Sequence, residues 1–220
     1  MRIAYQGVIG AYSEAAALRF NDSADLMSCL SFENVFEAVD GGLATHGILP
    51  IENTIGGTIH RNYDLLLEHE LPIVGEIKLP IAHHLIVNEG TSLEQVQRVY
   101  SHPQGLAQCE GFLRRLAGVE IVATYDTAGS AKMIKEEALV DSAAIASERA
   151  ARHFGLKILQ SGIQDYADNM TRFLFVSKEA TPLGPPDKTT IVFTVSNEAG
   201  ALFKALSVFA LRDIDLTKLE

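Results

Sequence analysis

Asp168-Asn169-Met170-Thr171-Arg172-Phe173-Leu174-Phe175-Val176 divides into a polar lead and an apolar, aromatic, β-branched run. The second half reads as a buried strand. The first half reads as the polar turn feeding it, and in an open α/β sheet such a turn is where chemistry is displayed. Thr171 and Arg172 therefore bring a hydroxyl and a guanidinium to a strand mouth, beside the ring of Phe173. Nine residues alone also fit a strand with an ordinary polar lead-in, so the rest of the chain has to decide.

Four more polar turns follow apolar strands. Arg2–Gln6 reads as a strand running through Gly7–Glu14 into an Ala-rich helix, with Tyr12 or Ser13 as its cap. Gly7 and Gly10 do not make a dinucleotide fingerprint; the free N–H groups of that helix start favour an anion such as a carboxylate. Gly47–Ile51 leads into Glu52–Thr58, whose Gly56-Gly57 permits close backbone approach. Val96–Tyr100 leads into Ser101–Gln104 and a helix through Leu116, started by Pro103. Glu120–Thr124 leads into Asp126–Ser130, capping a helix through Ala138. Such turns gather at strand ends facing a cleft, offering hydroxyls, amides and helix N-termini.

The organisation expected is α/β, with two lobes crossed twice by the chain. Residues 1–77 and 163–180 form lobe 1, residues 78–162 lobe 2, and 181–188 a Pro/Gly linker. Residues 189–220 read as a strand over Thr189–Val195, an apolar helix from Gly200 and a second strand from Ile214. A β-α-β start of that size cannot cover its own sheet faces, so this terminal module reads as cut short.

Of the 220 residues, 47% are hydrophobic and 21% charged, and the net charge is −10. No basic cluster tracks a phosphate backbone, which excludes nucleic acid as partner. No apolar run reaches membrane-spanning length and no signal or transit peptide is read, so no membrane partner is expected either. Cys29 and Cys109 make no CxxC pair and suit free thiols in a reducing compartment. The setting expected is the cytoplasm, or the plastid stroma where a transit peptide has been removed.

Metal chemistry finds no ligand set: His83-His84 are adjacent, so on a strand they face opposite ways. No GxSxG elbow occurs, and Cys109 sits inside the expected helix Gln104–Leu116 as an inert thiol. Glu136-Glu137 read as a solvent face. A cofactor-free site built on positioning remains.

Asp168–Phe173, Leu49-Pro50-Ile51-Glu52-Asn53-Thr54, Ser101-His102-Pro103-Gln104 and Asp126-Thr127-Ala128-Gly129 together resemble the prephenate dehydratases and the related arogenate dehydratases. Tyr5-Gln6-Gly7…Gly10-Ala11-Tyr12-Ser13 and Ile59–Leu66 strengthen the likeness, which runs in order from Arg2 to Glu220. The resemblance implies two interlaced lobes like those of type II periplasmic binding proteins. It further implies the start of a ferredoxin-like α+β ACT domain that binds phenylalanine as feedback inhibitor. It makes Thr171 the catalytic threonine and Asn53, Thr54, Ser101, Gln108, Arg172 and Phe173 the substrate site. Gly200, Ala201, Leu202 and Glu220 match the effector segments, with Phe203 where the family has valine. No cofactor is implied, and homo-oligomers are expected in the full-length protein.

The reaction implied removes CO₂ and water from prephenate to give phenylpyruvate, or from arogenate to give phenylalanine. Aromatisation drives it, leaving the protein to help the hydroxyl depart. Arg172 either lies in the turn and anchors a carboxylate or, by strand alternation, is structural. A non-catalytic amino-acid or solute-binding module on the same two-lobed fold is the competing class.

Overall fold

The computed structural model describes residues 1–185 and 188–219. In chain order the first stretch holds β1 (Arg2–Gln6), α1 (Tyr12–Phe20), β2 (Asp25–Cys29), α2 (Phe32–Asp40), β3 (His46–Asn53), β4 (Gly57–Thr58), α3 (His60–His69) and β5 (Ile73–Pro80). Then come β6 (His84–Val87), a 3₁₀ turn at Leu93–Gln95, β7 (Arg98–Ser101), α4 (Pro103–Ala107), α5 (Glu110–Leu113), β8 (Glu120–Ala123), α6 (Thr127–Glu136), β9 (Ser142–Ala146), α7 (Glu148–Phe154) and β10 (Lys157–Gln160). The strand β11 (Met170–Ser177) and, after the linker, α8 (Ala201–Ala210) complete the order.

Two sheets result. One runs β2-β1-β3-β11-β5, with β4 appended to β3, and the other β10-β6-β9-β7-β8. β11 lies antiparallel between β3 and β5. Both its edges are paired and both its faces covered, which is why its apolar run is continuous rather than alternating with polar residues. Phe173 and Phe175 pack with Ile3, Tyr5 and Ile48 beneath α1. Val176 joins Val35, Phe36 and Leu49 on the other face. Burying each such side chain contributes about 1.5–3 kcal/mol.

The chain leaves the first sheet after Pro80 and returns at Met170. The two crossings bond to each other: Ile81 N–H donates to Asn169 O at 2.8 Å, and Ile163 N–H to His83 O at 3.0 Å. Asn169 and His83 thus belong to the hinge itself.

A second seam joins the start of α1 to the start of α7. Arg149 makes two bonds to the Glu14 carboxylate, at 2.7 and 3.0 Å, and Ser147 Oγ donates to Gly10 O at 2.7 Å. Gly10 has φ +95°, and a Cβ there would lie 2.6 Å from Ala150 Cα. Gly10→Ala is expected to destabilise the fold by about 1–3 kcal/mol or more, from strain plus a backbone clash with no soft side chain to yield. Urea denaturation measures it.

Two local expectations are corrected. The cap of α1 is Ala11, which offers no side-chain hydrogen bond. One residue before that cap, Gly10 N–H donates to Glu14 Oε2 at 2.7 Å, which brings a carboxylate of the chain itself to the first turn. The helix expected over Gln104–Leu116 breaks at Gln108-Cys109: Gln108 O accepts from Asp165 N–H at 2.8 Å, so a residue far down the chain claims the carbonyl that would continue the helix.

The segment beginning at residue 186 forms its own unit. Neither expected strand is present among the described residues: 189–195 and 214–219 carry no ladder. A strand requires a partner for its N–H and C=O groups, and none is at hand among the described residues of this unit. Its helix α8 has no fully buried residue.

Candidate active site

Antiparallel register sets Thr171 opposite Asn53 and, on its other side, opposite Leu79. Asn53 ends β3, where its side chain meets the turn that follows. Its Oδ1 accepts from Ile55 N–H at 3.1 Å and Gly56 N–H at 2.7 Å. Two backbone donors therefore fix which way this amide faces. Its Nδ2 donates to Thr171 Oγ1 at 2.9 Å and to Asn169 Oδ1 at 2.7 Å. Asn169 Nδ2 in turn donates to Gln108 Oε1 at 2.9 Å, and Gln108 Nε2 returns to Asn53 Oδ1 at 3.1 Å.

Three amides thus close a ring between strand, hinge and second lobe, all buried. Thr171 hangs from it: an amide N–H can only donate, so the threonine oxygen accepts, and its own O–H remains to be given away. That residue is 7% exposed. Gln104, from α4, reaches over the same turn, where a Cβ on Gly56 would collide with its Nε2. The two lobes meet here.

The remaining expected site residues separate. Thr54 Oγ1 donates to Asp168 O at 3.1 Å and accepts from Met170 N–H at 3.0 Å, holding the turn before β11. Ser101 is fully buried in lobe 2 and donates to Ile145 O at 2.8 Å; it is not part of the ring. Arg172 follows the structural alternative: it points away from Thr171 and pairs with Glu76 at 2.7 Å, as strand alternation requires. Phe173 shares the face of Thr171, is 1% exposed and packs among core side chains.

Sequence reasoning does not assign Asn169, His83 or Tyr12 to the site. Asn169 stands inside the quoted motif, one residue before the strand. His83 draws notice in the sequence only as half of a metal pair, yet its Nε2 lies 2.8 Å from Gln108 Oε1 and its Nδ1 3.0 Å from the Tyr12 hydroxyl. Burial pushes the His83 imidazole below its ordinary pKa, against the Gln108 bond, which raises it. Among the described residues no cluster of His, Cys, Asp or Glu could hold a metal ion, and no helix is long and apolar enough to cross a membrane.

Cys109 is buried and burial drives its thiol up to about 12, while Cys29 is raised for the same reason. Both should resist iodoacetamide at about pH 8 in the folded protein and react once unfolded, since the thiolate is the reactive form. Mass spectrometry reads this out.

A family model described as prephenate dehydratase matches residues 3–181. Arogenate dehydratase/prephenate dehydratase 2, chloroplastic, of Arabidopsis thaliana is 52% identical over 224 residues, covering all of this chain and 58% of the relative. The chain thus spans little more than half the length of that curated relative. A prephenate dehydratase from Arthrobacter aurescens, solved in complex with L-Phe, superposes with TM-score 0.88 at 28% identity, over all of this chain and 75% of that one. A structure described as GqqA, a novel type of quorum quenching acylase, gives 0.89 at 36% identity, over all of this chain and 81% of that one. The matched model covers both sheets together with Thr171 and its amide ring, and on that ground the chain belongs to the prephenate dehydratase family.

Proposed function

We propose that the protein carries out the decarboxylating dehydration of prephenate, giving phenylpyruvate, CO₂ and water, with arogenate as the alternative substrate. One observation carries the reading: a threonine whose oxygen is held by Asn53 and whose hydrogen is free to be donated, where the two lobes meet. In the reaction the C–C bond to the ring carboxylate breaks, its electron pair enters the ring, and the ring C–O bond breaks. Hydroxide leaves and takes a proton supplied from solvent, so that water is released. Thr171 serves that departure by donating its hydrogen bond to the oxygen as charge develops on it.

The solute-binding alternative predicts binding without turnover. The acylase description of GqqA stays with that protein. Here the partner of Thr171 is an amide that cannot take its proton, so the threonine is not set up as a nucleophile. The Arabidopsis relative is named for both activities and for the chloroplast, which supports testing arogenate beside prephenate and favours a plastid setting. The L-Phe complex of the Arthrobacter protein supports reading Gly200, Ala201 and Leu202 as part of an effector site; the fourth residue of that set, Glu220, lies outside the described residues. Homo-oligomeric assembly belongs to the same proposal.

The test is an assay of the protein with both substrates, following phenylpyruvate by ultraviolet absorbance and phenylalanine by chromatography. Product from either is expected. Binding of both without turnover would overturn the reading, and the ratio of kcat/KM values ranks the two substrates.

A further inference from the structure

His83 sits between Tyr12 and Gln108 in a chain of hydrogen bonds that all run one way. The ring fixes Gln108 Oε1 as an acceptor, because Asn53 Oδ1, held by two backbone N–H groups, requires Gln108 to present its nitrogen on the other side. The imidazole nitrogen 2.8 Å from that oxygen must then carry hydrogen. On the far side of the imidazole, the Tyr12 hydroxyl lies 3.0 Å from Nδ1 and 2.7 Å from Ala82 O. Burial pushes the Tyr12 hydroxyl well above its ordinary pKa, so it keeps its hydrogen and shares it between two acceptors. One neutral tautomer fits both sides, with hydrogen on Nε2 and a lone pair on Nδ1.

The sequence of donors then reads Tyr12 to His83, His83 to Gln108, Gln108 to Asn53, Asn53 to Thr171, and Thr171 outward. Bonds aligned head to tail polarise one another by about 10–30% each. A more strongly held threonine oxygen makes a better O–H donor. The chain also couples the second lobe to the catalytic strand, since Gln108 keeps its place only when both its amide ends are matched.

Resting on the dehydratase reading, we propose that His83, as its Nε2–H tautomer clamped between Tyr12 and Gln108, is a positioning residue that aims and strengthens the Thr171 hydroxyl. It acts through Gln108 and Asn53 and touches no reacting atom.

Two variants separate this from a merely structural histidine. Glutamine can put an N–H where Nε2 stands, whereas asparagine reproduces only the Nδ1 position. His83→Gln is expected to keep kcat within about threefold of the parent, and His83→Asn to lose about tenfold or more in kcat with KM nearly unchanged, one lost hydrogen bond in a buried chain being of that size. Equal impairment of the two, or an unimpaired His83→Asn, would overturn the proposal. Nitrogen-15 NMR of the folded protein gives a readout independent of turnover: His83 is expected as the Nε2–H form, and hydrogen on Nδ1 alone would overturn it. If the protein turned over neither substrate while the tautomer stood as stated, the reaction assignment would fall and the hydrogen-bond chain would not.

Discussion

Thr171→Val is expected to lower kcat by about 10² to 10⁴ while KM stays within a few-fold, the range that positioned proton assistance supplies. Valine keeps the volume and the β-branch of threonine, so β11 and its pairing should be retained; what disappears is the O–H. The loss should fall on kcat because the hydroxyl acts on charge that develops only as the C–O bond breaks. Thr171→Ser should recover most of the activity, since the donor returns and the register opposite Asn53 is unchanged. Steady-state kinetics with ultraviolet detection checks both. Parental turnover by the valine variant would remove Thr171 from the chemistry.

Asn53→Asp should cost about 10²-fold or more in kcat as well, for a different reason. The substitution is isosteric, and the new carboxylate can still accept from Ile55 and Gly56. It cannot donate. Thr171 Oγ1 and Asn169 Oδ1 would each face an acceptor where they now meet an N–H. The threonine would then turn its hydrogen inward to the carboxylate, away from the substrate. Leaving buried acceptors unmatched costs about 1–3 kcal/mol, so stability should fall too. The signature is loss of activity in protein that remains folded, read by kinetics alongside thermal denaturation.

The two predictions depend on different kinds of information. β11 is legible because its apolar run, its polar lead and Thr171 are contiguous, and the strand-turn-helix units around Asn53, Pro103 and Asp126 carry local cap and glycine signals. The family motif points to Thr171, Asn53 and Gln108, yet their arrangement is not legible. The ring and its threonine join residues 55, 61, 116 and 118 positions apart, and nothing in a local window encodes that. Phe173 reads as a site residue because motifs are contiguous in sequence, whereas a buried strand commits its apolar side chains to the core on either face. His83 escapes notice for a related reason: its neighbour His84 draws the comparison, while its partners lie 25 and 71 positions away. The break at Gln108 likewise comes from Asp165, far down the chain. In the terminal unit, the β-propensity over Thr189–Val195 is real but meets no partner strand among the described residues.

The most direct measurement is a crystal structure of the Thr171→Ser protein trapped with an unreactive prephenate analogue that retains the ring hydroxyl. The predicted result is that ring oxygen about 2.6–3.2 Å from the side-chain oxygen carried at position 171, with Asn53 still donating to the latter from behind. A ring hydroxyl lodged elsewhere between the lobes, beyond reach of position 171, would contradict it.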